Sequence, residues 1–131
     1  MLRIGLLGCG NIAGIIASRC AGLAEIVACH DQEPAQMQAY AAHTAAKACP
    51  DMDSLLRQDY NILVEAASIE AVRDHLQEAL TAGKDVVVLS VGALADREFL
   101  RDVRAQARRA GRRIHVPSGA IFGLDNLKVA R

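Results

Sequence analysis

The stretch Ile4-Gly5-Leu6-Leu7-Gly8-Cys9-Gly10-Asn11-Ile12-Ala13-Gly14 decides the fold. Residues 2–7 form an apolar run about as long as one buried parallel strand. From Gly8 onward the apolar spacing turns helical, through Ile12, Ile15, Ile16 and Cys20. The change of period falls on the glycines, so the stretch predicts a strand, a tight turn and a helix in immediate succession. Each small residue then has its own task. Gly8 permits the turn, Gly10 leaves the backbone bare to an approaching anion, and Ala13 lets the helix pack closely on the strand.

The anion that such a corner suits is a pyrophosphate, because the free amides of the first helical turn face it and the helix dipole favours its charge. A second apolar run, 25–29, leads to His30 and Asp31. Asp31 lies 23 positions beyond Gly8 (31 − 8), where a carboxylate at the end of the second strand accepts hydrogen bonds from a ribose diol. The expected site is therefore dinucleotide-binding, with Gly8, Gly10, Asn11 and Ile12 at the phosphates and Asp31 at the sugar. A carboxylate there repels a 2′-phosphate and Gln32 offers no compensating charge, so NAD is the expected cofactor, with NADP possible.

Working outward, 131 residues make one domain with a real core. That length is expected to be too short for a dinucleotide domain plus a full substrate domain. Hydrophobic residues make up 52% and aromatic residues only 3%, which indicates a core of Ala, Val, Leu and Ile, as alternating strands and helices use. Fifteen basic and fifteen acidic residues leave no net charge, so neither nucleic acid nor an anionic membrane is an expected partner. No apolar run approaches the roughly 20 residues of a membrane span, and nothing suggests export. Cys9, Cys20, Cys29 and Cys49 form no close CxxC pair, so free thiols and a cytoplasmic location are expected.

Along the chain, residues 33–43 read as a helix with Pro34 in its first turn, and 45–49 as a short strand closed by Pro50. Asp51 or Asp53 caps a short helix carrying Leu55 and Leu56. Residues 61–67 read as a strand, 69–82 as a helix capped by Ser68 and ended at Gly83, and 85–89 as a strand buried on both faces. A helix over 97–110 starts after Asp96, ends at Gly111 and buries Phe99, Leu100, Val103 and Ala107. Its interleaved arginines read as a solvated face. Residues 113–117 form a sixth strand, and another helix begins near 120. This alternation predicts an α/β fold, a doubly wound parallel sheet of the Rossmann type in a single domain. All strands then end on one edge. Gly8 to Ile12, Ala67-Ser68, Ser90-Val91-Gly92-Ala93 and Ser118-Gly119-Ala120 meet there, with small residues that admit a flat nicotinamide ring. Ser68 and Ser90 suit that role and simple capping equally.

Val64-Glu65-Ala66-Ala67-Ser68, Leu89-Ser90-Val91-Gly92-Ala93-Leu94-Ala95-Asp96 and Pro117-Ser118-Gly119-Ala120-Ile121-Phe122-Gly123-Leu124-Asp125 together resemble the N-terminal half of the L-aspartate dehydrogenase family over nearly the whole chain. The resemblance implies nicotinamide-dependent oxidative deamination of L-aspartate to iminoaspartate, then oxaloacetate and ammonia. In some organisms the iminoaspartate feeds NAD synthesis. It implies that Gly8 to Ala13 bind pyrophosphate and that Asp31 faces the adenosine ribose. Ala67, Ser68, Ser90, Gly92, Ala93, Gly119 and Ala120 then line the nicotinamide end.

The resemblance also implies a second half, about as long again, that supplies most of the substrate pocket, a catalytic histidine and the main oligomer contact. No counterpart of that histidine is expected among residues 1–131. His43 and His75 fall in predicted helices, His115 in a strand and His30 at the adenosine end, so no catalytic residue is assigned. The chain is expected to bind cofactor and to need a second domain, a homo-oligomer or a partner chain to handle aspartate. A stand-alone nucleotide-binding or regulatory module, and the cofactor domain of a related amino-acid or semialdehyde dehydrogenase, are the alternatives.

Overall fold

The computed structural model describes residues 1–117. Six strands, β1 (Leu2–Leu7), β2 (Ala24–His30), β3 (Lys47–Ala48), β4 (Ile62–Glu65), β5 (Asp85–Val88) and β6 (Ile114–His115), pair in the order β3-β2-β1-β4-β5-β6, every pair parallel. The helices are α1 (Asn11–Arg19), α2 (Pro34–Thr44), α3 (Met52–Leu56), α4 (Ile69–Thr81) and α5 (Arg97–Ala110), with a 3-10 turn at Val91–Ala95. The order reverses between β1 and β4. Crevices for ligands form at such a reversal, outside the carboxyl ends of the strands. The predicted α/β, doubly wound parallel sheet is the fold observed.

Two apolar layers hold the sheet between helices. On one face Leu63, Val86 and Val88 pack with Val72, Leu76, Leu80 and Val103; on the other Ile4, Leu6 and Cys29 pack with Ala13, Met37 and Tyr40. The strict alternation along β5, with Val86 and Val88 sealed and Val87 half-buried, follows from side chains projecting to opposite faces. Asp51, Ser68 and Asp96 cap α3, α4 and α5 through the amides of Ser54, Ala71, and Glu98 with Phe99. Gly83 and Gly111 follow α4 and α5 with φ of 82° and 64°, conformations that side chains resist.

Several strands are shorter than expected, 61–67 being Ile62–Glu65 and 113–117 only Ile114–His115. The third strand is only Lys47–Ala48, because Ala45 takes a left-handed cap at the end of α2 with φ of 62° and uses up the residues expected to extend. In α1 the apolar spacing divides, with Ile16 half-buried against the core. Ile12 and Ile15 are 52% and 56% exposed, and Ala13 is fully buried against the sheet, as expected. Among the described residues, no helix is long and apolar enough to cross a membrane. The predicted helix beginning near residue 120 lies outside the described residues.

Candidate functional site

The turn after β1 is built from its own backbone. Gly8 has φ of 98°, and a Cβ there would stand 2.5 Å from the Ala66 carbonyl oxygen, so only glycine fits. Its amide donates to the His30 carbonyl at 2.8 Å, drawing the ends of β1 and β2 together. Gly10 differs: nothing lies within 4 Å of where its Cβ would be. That side of the backbone is open. Gly10 is also the N-cap of α1 and provides no side-chain cap, and the first turn carries no acidic residue. The amide end of α1 is thereby left to an anion, whereas Ser68 and Asp96 close the same end of α4 and α5.

Asp31 lies at the mouth of the turn. Its Oδ2 accepts from the Cys9 amide at 2.8 Å and its Oδ1 from the Glu33 amide at 2.7 Å. The carboxylate thus fixes the glycine turn against the start of α2, and each oxygen keeps a lone pair for a further donor. His30, beside it, is held by a 2.7 Å hydrogen bond between Nδ1 and the Cys49 carbonyl. The fit of α1 is secured from the far side, where the Tyr40 hydroxyl donates to the Ala13 carbonyl at 3.0 Å.

A cleft of about 300 Å³ opens over this corner. Gly8, Gly10, Asp31, Ala67 and Ser68 all line it, so five of the residues expected from the sequence share one cavity. Asp31, Glu33, Glu70 and Asp74 place carboxylates on its wall, and among the described residues neither lysine nor arginine lines it. Asn11 and Ile12 are exposed on the first turn of α1 next to Gly10. Ser90, Gly92 and Ala93 belong to the neighbouring segment after β5, and Ala93 is buried. Gly119 and Ala120 lie outside the described residues. Ser68 both caps α4 and lines the cleft, while the Ser90 hydroxyl donates to Glu65 Oε1 at 2.8 Å.

Glu65 is the residue that the sequence reading passed over. It is 2% exposed, at the end of β4, and its carboxylate holds the segments after β4 and β5. The signal was a lone acidic residue closing an apolar strand, and it was visible in Ile62-Leu63-Val64-Glu65. Of the histidines, His75 lines the cleft but its Nδ1 pairs with Glu78 one turn on along α4. All four cysteines are free; the Cys9 thiol is pushed well above its ordinary range, first by its hydrogen bond with Cys29 and then by burial. Among the described residues, no group of three or more His, Cys, Asp or Glu could hold a metal ion.

The sequence pattern of the homoserine dehydrogenase NAD-binding domain matches residues 8–117. The chain is 47% identical to an L-aspartate dehydrogenase from Methanospirillum hungatei over 98% of its length and 51% of that protein. It is 40% identical to one from Methanocaldococcus jannaschii over its full length and 51% of that protein. It therefore spans about half the length of the curated relatives it matches. Among solved structures, the WlbA dehydrogenase from Bordetella pertussis in complex with NADH and UDP-GlcNAcA superposes with a TM-score of 0.80 at 26% identity, covering 88% of this chain and 34% of that one.

Proposed function

The chain belongs to the family of homoserine dehydrogenase-type NAD-binding domains, and we propose that it is the cofactor-holding part of an oxidoreductase acting on L-aspartate, with NAD as the preferred cofactor. The observation that carries this reading is the corner where Gly8 turns at positive φ, Gly10 leaves its backbone open and α1 begins without a side-chain cap. A pyrophosphate meets amides and a favourable dipole there, with no side chain in the way. The similarity to L-aspartate dehydrogenases over 98% of the chain supports the substrate.

When bound, the nicotinamide supplies the hydride acceptor or donor. The work of this chain is to bind and orient. The turn at Gly8 to Gly10 holds the phosphates, Asp31 offers its remaining lone pairs to the adenosine ribose, and the segments after β4 and β5 form the floor for the ring. A substrate carboxylate clamp and a proton-handling group are contributed from outside residues 1–117, by a second domain or a partner chain. A cytoplasmic setting suits the free thiols.

The preference for NAD rests on more than Asp31. A 2′-phosphate would enter a cleft whose wall carries four carboxylates and, among the described residues, neither lysine nor arginine. Calorimetric titration of the chain with NAD, NADP and then L-aspartate tests the whole reading. The expected result is heat from NAD, weaker binding of NADP and no heat from aspartate. Tighter binding of NADP overturns the cofactor preference, absence of binding by either overturns the dinucleotide site, and robust aspartate oxidation by this polypeptide overturns the division of labour.

A further inference from the structure

Glu65 occupies a core position of β4, on the same face as Leu63 and among Leu7, Val86 and Val88. An apolar side chain would suit those neighbours better, since a buried carboxylate is costly to desolvate. Its hydrogen bonds account for its presence. Oε1 accepts from the Ala67 amide at 2.8 Å and from the Ser90 hydroxyl at 2.8 Å. Oε2 accepts from the Ser90 amide at 2.9 Å and the Leu89 amide at 3.2 Å. Three of the four partners are backbone amides, which only donate, and each carboxylate oxygen faces at least one of them, so a glutamine in either orientation would turn its NH₂ against an amide N–H. One side chain thus ties the residues leaving β4 to the residues leaving β5.

The phosphate corner borders the Ala66-Ala67 backbone, which packs against Gly8, but takes no hydrogen bond from Glu65 itself. There the bonds run from Gly8 to His30 and from Cys9 and Glu33 to Asp31. We infer that Glu65 is a positioning residue that sets the nicotinamide side of the site, by fixing Ala67-Ser68 against Ser90 to Ala93, and acts there far more than on the adenosine and phosphate side. The inference rests on the dinucleotide reading above and separates the site by which hydrogen bonds hold each end.

The test compares the parent chain with Glu65→Gln and Ser90→Ala, using ADP-ribose by calorimetry and NADH by its fluorescence. ADP-ribose probes only the half built by Gly8, Gly10 and Asp31, whereas the emission of bound NADH reports on the nicotinamide surroundings. The expected result is ADP-ribose affinity within about twofold in all three proteins. NADH affinity falls roughly tenfold or more in Glu65→Gln, with loss of its emission enhancement, and by a smaller factor in Ser90→Ala, which keeps three backbone donors on the carboxylate. Unchanged NADH affinity and emission in Glu65→Gln, or parallel loss of ADP-ribose and NADH in a folded variant, overturns the inference. If Glu65→Gln does not fold, Ser90→Ala decides: an unaltered ratio of NADH to ADP-ribose affinity overturns it. A parent chain that binds neither ligand refutes the dinucleotide reading itself, which is a separate outcome from a parent that binds both.

Discussion

Gly8 and Gly10 are two positions apart and are glycine for different reasons. At Gly8 the backbone itself demands it, with φ of 98° and the Ala66 carbonyl 2.5 Å from any Cβ. At Gly10 the protein demands nothing, since no atom lies within 4 Å of a Cβ, and on the proposed reading that open space would take the pyrophosphate. Gly8→Ala should therefore lower stability by about 1–3 kcal/mol from the strained conformation, with the clash in addition, and lose NAD binding. Gly10→Ala should leave stability within about 0.5 kcal/mol of the parent and still lose NAD binding. Thermal melts beside calorimetry check both; a Gly10→Ala protein that binds NAD normally would remove the pyrophosphate from this turn. Thiol chemistry gives a second test at this scale. Cys9 is buried and its thiol is raised by hydrogen bonding with Cys29 and by burial, and Cys29 and Cys49 are fully buried. Iodoacetamide near pH 8 should label Cys20 in the folded chain and spare the other three. Burial shields those three, even Cys29, whose thiol is lowered by its hydrogen bond with Cys9, and the raised Cys9 thiol holds back its reactive thiolate further; mass spectrometry finding an adduct at Cys9 would show that the turn opens.

Elements were legible where a local pattern and the tertiary structure agree. The glycine turn, the caps Ser68 and Asp96 and the terminators Gly83 and Gly111 all stand where sequence alone puts them, because capping and left-handed exits are decided within a few residues. In α1 the fingerprint itself marks the inner face. Close packing of helix on strand requires the smallest side chain inward, so Ala13 faces the sheet and the bulky Ile12 and Ile15 rotate outward, although a periodicity argument favours the large residues. Contacts between distant residues were not legible at all. Gly5, in mid-strand, gives way to the Tyr60 ring, which would overlap any Cβ there, and Lys84 lies 4.1 Å over that ring while donating to the Gln58 and Tyr60 carbonyls. The Tyr60 hydroxyl is buried and has no hydrogen-bond partner among the described residues. Tyr60→Phe removes an unpaired polar group and keeps the ring, so stability should be unchanged or rise by up to about 1 kcal/mol. A clear loss in a denaturant titration would mean that the hydroxyl has a partner after all.

At the scale of the whole molecule, the distribution of charge matters more than its zero sum. The arginines of α5 project away from Val103 and Ala107, with Arg101 paired to Glu98 and Asp102, while carboxylates gather at the cleft on the carboxyl edge of the sheet. On the proposed reading, a dinucleotide would meet this acidic cleft with its phosphates at the uncapped amide end of α1 and its sugar hydroxyls as donors to Asp31. A ligand that binds only the folded state stabilises it by RT ln(1 + [L]/Kd), about 2.7 kcal/mol at a hundredfold excess over Kd. NAD should therefore raise the melting temperature of the isolated chain in a concentration-dependent way, NADP should raise it less at equal concentration, and L-aspartate added to saturating NAD should add nothing. A further rise with aspartate would mean that residues of this chain hold the substrate. The half-length match to the L-aspartate dehydrogenases would then divide the protein at a different place from the division of its chemistry.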